Sequence, residues 1–109
     1  MNNNRYDGMW FQDYQHGEGT MYYHNGDLYV GNWVNDKREG KGTYTWANGA
    51  QYNGHWKYDK KNGKGVMNWD DGCKYDGDWK DDVRHGKGVF EYTNGDKYEG
   101  DWADDIQHG

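Results

Sequence analysis

The residues of this chain able to do chemistry are five histidines, His16, His24, His55, His85 and His108, and three acidic pairs, Asp70-Asp71, Asp81-Asp82 and Asp104-Asp105. A single cysteine, Cys73, and a recurring Gly-Lys-Gly at Gly40, Gly63 and Gly86 complete the set. Histidines can bind zinc, but His85 and His108 stand one sequence period apart, which in a stack of hairpins is about 10 Å, whereas each ligand lies about 2 Å from its metal. No metal site is expected. Paired carboxylates do acid–base work when burial drives their pKa values apart. These pairs fall instead at turns, where Asp is favoured because its side chain hydrogen-bonds the backbone. Cys73 follows a turn glycine and has no histidine at a telling spacing, so it reads as an ordinary thiol. The Gly-Lys-Gly units lack the following Ser or Thr and the helix N-terminus of a phosphate loop. The expectation is no catalytic residue, no cofactor and no enzyme.

What must position every one of these side chains is a repeat of about 23 residues. Tyr6, Tyr29, Tyr52, Tyr75 and Tyr98 each open a Tyr-x-Gly-x-Trp motif, completed by Gly8 and Trp10, Gly31 and Trp33, Gly54 and Trp56, Gly77 and Trp79, and Gly100 and Trp102. A further glycine follows each Trp, at Gly17, Gly40, Gly63, Gly86 and Gly109. A fixed period of this kind is the signature of a repeat architecture. Within each copy a turn signal, Asn25-Gly26, Asn48-Gly49, Asp71-Gly72 or Asn94-Gly95, separates two runs rich in aromatic and β-branched residues, which is the mark of a β-hairpin.

Side-chain parity selects the loop. Residues on one face of a strand recur every second position. A two-residue loop would split the apolar residues between faces. The three-residue loop His24-Asn25-Gly26 pairs Met21 with Tyr29 and gathers Met21, Tyr23, Tyr29, Gly31 and Trp33 on one side. The same register collects Tyr44, Trp46, Tyr52 and Trp56, and so on along the chain. The predicted fold is all-β, a single-layer antiparallel meander with one aromatic face and one wet face. The lone leading strand covers residues 6–10, and four hairpins follow near 17–33, 40–56, 63–79 and 86–102. They are joined by loops such as Val34 to Glu39 and Lys57 to Asn62.

Composition is consistent with a thin, ordered object. Only 32% of the 109 residues are hydrophobic and mean hydropathy is -1.54, yet eleven Tyr, seven Trp and two Phe supply rings that bury large areas with wet tips. The net charge of -6 argues against nucleic acid as a partner. One cysteine excludes an intrachain disulfide and fits a reducing, cytoplasmic setting. No apolar run approaches the roughly 20 residues of a membrane span, and the Asn-rich start is no signal peptide.

Tyr-x-Gly-x-Trp followed by Gly-x-Gly and Asn-Gly at this period resembles the membrane occupation and recognition nexus (MORN) repeat, over nearly the whole chain. The resemblance implies an elongated sheet with a groove along one face and a role in scaffolding, in ciliary or cytoskeletal assemblies, beside an enzyme domain, or at phosphoinositide membranes. Two surfaces are expected to carry such a role. The first is an aromatic groove of Tyr23, Trp33, Trp46, Trp56, Trp69, Trp79 and Tyr92 for a partner protein or a second copy, resting on the structural motif Tyr29, Gly31, Tyr52, Gly54, Tyr75, Gly77, Tyr98 and Gly100. The second is a lysine-rich edge of Lys37, Arg38, Lys60, Lys61 and Arg84 for phosphoinositide headgroups. Because the array opens on a lone strand and stops where a hairpin should begin, it reads as an excerpt of a longer array or as one that pairs end-on.

Overall fold

The computed structural model describes residues 4–103 and 106–108; of the last three only the backbone is described. The pair Asp104-Asp105 and Gly109 lie outside the described residues. The chain forms one ten-stranded antiparallel sheet among the described residues, each strand bonded to its sequence neighbours. The strands are β1 Arg5–Phe11, β2 Tyr14–Tyr22, β3 Leu28–Val34, β4 Lys37–Thr45, β5 Gln51–Lys57, β6 Lys60–Asn68, β7 Lys74–Lys80, β8 Val83–Glu91, β9 Lys97–Ala103 and β10 Ile106–His108. The sheet is long and narrow, 47 × 24 × 20 Å.

The hairpin register is the one parity selects. Met21 pairs with Tyr29, Tyr44 with Tyr52, Met67 with Tyr75 and Phe90 with Tyr98. Each of these hairpins closes on a bulged turn: the Tyr23 amide donates to the Asp27 carbonyl, the Gly26 amide donates to the Tyr23 carbonyl, and Gly26 sits at φ 96°. Only glycine reaches that conformation without a Cβ penalty.

The connections between hairpins differ from expectation. Residues Val34 to Glu39 and Lys57 to Asn62 are not loops but strand ends closing on two-residue turns. Asn35-Asp36, Tyr58-Asp59, Asp81-Asp82 and, before them, Gln12-Asp13 have both central residues at positive φ, between 49° and 73°. That is the hairpin turn whose twist matches the flanking strands, normally rich in glycine. Here an aspartate at the second position offsets the strain. Its amide donates to a carbonyl of the preceding repeat and its carboxylate accepts the amide of that same residue: Asp36 with Gln15, Asp59 with Arg38, Asp82 with Lys61, at 2.7–3.2 Å. The acidic pair Asp81-Asp82 is therefore a turn and an inter-repeat clasp. Just beyond each turn the ladder shifts register, as between Gly31 and Trp33, and Gly40 absorbs the bulge at φ 71°.

The core is a ladder of rings. Tyr29, Tyr52 and Tyr75 are fully buried, and Trp33, Trp56, Trp79 and Trp102 are 3–5% exposed. Each of these Trp rings stands edge-on between the Tyr of its own repeat and that of the repeat before. Tyr29 and Tyr52 flank Trp56 at 5.6 and 5.1 Å, Tyr52 and Tyr75 flank Trp79 at 5.4 and 5.2 Å, and Tyr75 and Tyr98 flank Trp102 at 5.3 and 5.4 Å. Edge-to-face pairs of this kind add about 0.5–1.5 kcal/mol each beyond burial. The polar tips are satisfied: Trp56 Nε1 donates to the Gly42 carbonyl at 3.1 Å, and the Tyr52 hydroxyl donates to the His55 carbonyl at 3.0 Å. The tyrosine hydroxyl lies over a facing glycine, so a Cβ at Gly42 or Gly65 would collide with it. That collision is why the second glycine of each Gly-x-Gly has no side chain.

Candidate partner-binding groove

One row of rings on the aromatic side remains outside this ladder. Tyr23, Trp46, Trp69 and Tyr92 stand at the ends of β2, β4, β6 and β8, at the start of each turn; the first three are half-buried and Tyr92 is 40% exposed. They lean on the residue two positions earlier or its counterpart one repeat on. Tyr44 touches Tyr23 and Trp46 at 5.6 and 4.6 Å, and Phe90 touches Trp69 and Tyr92 at 5.4 and 4.7 Å. Trp33, Trp56 and Trp79, expected beside them in the groove, are buried in the ladder. A ring covered on both sides has almost no area left for a partner, so these three support the groove from beneath.

The basic residues divide where an edge was expected. Arg38, Lys61 and Arg84 are one period apart and lie over the rings. The Arg38 guanidinium stands 4.7 Å from the Trp56 ring and 5.1 Å from Tyr44. The Lys61 ammonium stands 5.4 Å from Trp46 and 5.2 Å from Trp79, and Arg84 stands 4.6 Å from Trp102 and 5.7 Å from Trp69. Such contacts are worth about 0.5–2 kcal/mol. The turn aspartates anchor two of these cations: Arg38 Nε donates to Asp59 at 3.1 Å, and Lys61 Nζ lies 3.9 Å from Asp82. Lys37 and Lys60, which directly precede Arg38 and Lys61, pair with Val34 and Lys57 and stand exposed on the opposite face. Strand alternation thus separates residues that the sequence presents side by side.

The groove is stepped. A hollow of about 270 Å³ is lined by Lys61, Met67, Trp69, Trp79, Asp82 and Arg84, and one of about 290 Å³ by Asn4, Tyr6, Trp10, Gln15 and Met21 occurs nearer the first strand. Larger hollows of about 600 and 460 Å³ lie on the other face, floored by glycine backbone and walled by polar residues such as Glu18, Asn32 and Lys41. They present no aromatic side chain. At the first hairpin, Met9, Trp10, Phe11 and Tyr14 are 47–61% exposed. Sequence reasoning missed Asp27, which is 9% exposed and accepts from the Tyr44 hydroxyl at 2.7 Å and the Ala47 amide at 2.8 Å. Burial, and then that bond to Asp27, push the Tyr44 phenol well above its ordinary range. Cys73 holds the place of Asp27 two repeats on. Desolvation and a hydrogen bond with Asp71 raise its thiol, the reverse of an activated nucleophile.

The MORN repeat family model matches residues 6–28, 29–51, 52–74, 75–97 and 98–109. The chain belongs to the MORN-repeat family. These repeats are generally associated with protein and membrane binding and form a binding module rather than a known enzyme family. A search of the curated proteins finds no match.

Proposed function

We propose that this chain is a non-catalytic scaffolding module that holds a partner protein along the groove of Tyr23, Trp46, Trp69 and Tyr92. The observation that carries the reading is the row of partly exposed rings on a single-layer sheet: among the described residues no second layer covers them, and Trp and Tyr dominate interface hot spots. Self-association is a form of the same function, supported by the exposed Met9, Trp10, Phe11 and Tyr14. A cytoplasmic setting, in a ciliary or cytoskeletal assembly, is the context we propose from the family resemblance. The test is a random peptide library selected on the full chain, with binders remeasured on the Trp46→Ala, Trp69→Ala double variant after its far-UV spectrum is shown to be retained. Binders that lose affinity support the groove; binders indifferent to both substitutions overturn it.

A second reading, a peripheral phosphoinositide-binding module, is supported by Lys57 and Lys60. They stand directly opposite one another on the wet face with no carboxylate partner among the described residues. Like charges so placed repel, which an anionic headgroup would relieve. Changing both to Glu should abolish pelleting with phosphoinositide liposomes; undiminished pelleting of that variant rules the reading out.

A further inference from the structure

We infer that the occupant of the groove is a proline-rich segment in the polyproline II conformation, lying across the strands with one turn seated on each repeat. The inference rests on the groove being the binding surface and names what fits it. Two observations carry it, the spacing of the groove and the rings of Tyr23, Trp46 and Trp69, each with a cation near it, that line it.

Each repeat contributes two strands, so equivalent side chains recur about every 9.6 Å along the sheet, in keeping with the 47 Å long axis. A polyproline II helix has three residues per turn and a pitch of about 9.3 Å. Every third residue of such a ligand therefore meets the same kind of site in successive repeats, drifting by only about 1 Å over three of them. An α-helix returns a side chain to the same face after seven residues, about 10.5 Å, and drifts about 3 Å over the same stretch. An extended strand covers the spacing in about three residues, an odd number, so it turns alternate faces to successive repeats.

The walls supply rings and donors. Tyr23, Trp46 and Trp69 each have a cation near them: Arg38 acts electrostatically on the Tyr23 phenol, Lys61 lies 5.4 Å from the Trp46 ring and Arg84 lies 5.7 Å from Trp69. Arg38 gives Nε and Nη2 to Asp59, at 3.1 and 3.0 Å, out of the five donors a guanidinium carries. The carboxylates of Asp27, Asp59 and Asp82 are engaged with groups of this chain, as described above. The walls therefore offer a ligand apolar rings and the three donors Arg38 has left, beside the part-exposed carboxylates of Asp59 and Asp82. Polyproline II has no internal hydrogen bonds, and proline offers a carbonyl but no N–H. A helical ligand would have bonded most of its carbonyls to itself. Aromatic-lined grooves that take Pro-x-x-Pro segments elsewhere use the same preorganised, low-entropy ligand.

The experiment compares three synthetic peptides on the full chain by titration calorimetry and by the shifts of the indole N–H resonances. The first has prolines at the first two positions of every triplet and Gln at the third, over about 15 residues, or about 46 Å. The second inserts one further Gln per unit, breaking the spacing. The third is a proline-free amphipathic helix of the same length. The expected result is saturable binding of the triplet peptide, weakened about tenfold or more by Trp46→Ala with Trp69→Ala and by lengthening the unit. Equal binding of the lengthened peptide overturns the register argument. Preference for the helical peptide through the same tryptophans overturns the polyproline assignment and leaves the groove standing. If no peptide binds through those tryptophans, the assignment is wrong, and the library selection decides the groove itself.

Discussion

Replacing Gly65 by Ala isolates the close packing on which the ladder depends. A Cβ at that position would collide with the Tyr52 hydroxyl and ring. The ring has nowhere to move: it is fully buried, held edge-on between Trp56 and Trp79 at 5.1 and 5.4 Å, and its hydroxyl donates to the His55 carbonyl at 3.0 Å. Overpacking costs about 1–3 kcal/mol and the displaced hydrogen bond about 1 kcal/mol more. The expected loss is thus about 2–4 kcal/mol, a urea midpoint lower by roughly 1–2 M at a typical slope. Because repeat arrays open by neighbouring units, amide hydrogen exchange should place the loss in β4–β7 before the outer strands. Tyr52→Phe removes the nearest of the atoms that the new methyl strikes and leaves the ring carbons in place. It should cost about 1 kcal/mol alone, yet recover part of the Gly65→Ala loss when the two are combined, a coupling of at least ~1 kcal/mol. A Gly65→Ala loss below about 0.5 kcal/mol, or strict additivity of the pair, would refute the packing argument.

Asp27→Ala leaves the Tyr44 hydroxyl and the Ala47 amide without their acceptor and should cost about 1–3 kcal/mol in chemical denaturation. Burial pushes the Tyr29 and Tyr52 phenols far above their ordinary range, so in the folded chain they stay protonated past about pH 10. A raised folded pKa contributes stability below the unfolded value and loses it as pH climbs, so alkaline titration should show late phenolate absorbance that appears together with unfolding. Asp78 behaves in the opposite sense. Burial raises its carboxyl, but hydrogen bonds from the Lys64 ammonium and the Lys87 amide outweigh that and leave it depressed. Its contribution is present above the ordinary carboxylate range and fades as pH falls through its folded value. Asp78→Asn should therefore flatten the acid limb of the stability curve below about pH 4, by a small amount because the side chain is 32% exposed.

How much of this was legible in the sequence depends on the range of the contact involved. Parity within a hairpin is local, and it alone yields the pairing of Met21 with Tyr29 and a single aromatic face. The inter-hairpin turns were not legible. Tyr58-Asp59 has no glycine, and the bond that makes its strained backbone tolerable runs to Arg38 in the repeat before. The basic residues misled for a related reason. Lys60 and Lys61 are neighbours in the chain, and only their placement on a strand sends one to solvent and the other over the Trp46 ring. Trp33, Trp56 and Trp79 could be assigned to the aromatic face but not to its depth, because the ring that covers each belongs partly to the adjacent repeat.

The clasp in which each turn aspartate holds the backbone of the repeat before it has a genetic corollary. Because the clasp and the Tyr–Trp ladder join only adjacent units, a unit copied or deleted whole meets the same surfaces at both of its joints. Gene duplication can therefore lengthen or shorten such a sheet without compensating substitutions elsewhere, whereas an insertion of any other size breaks a clasp. Natural variation in this architecture should come in whole units, and the reach of the surface it presents should change in equal steps.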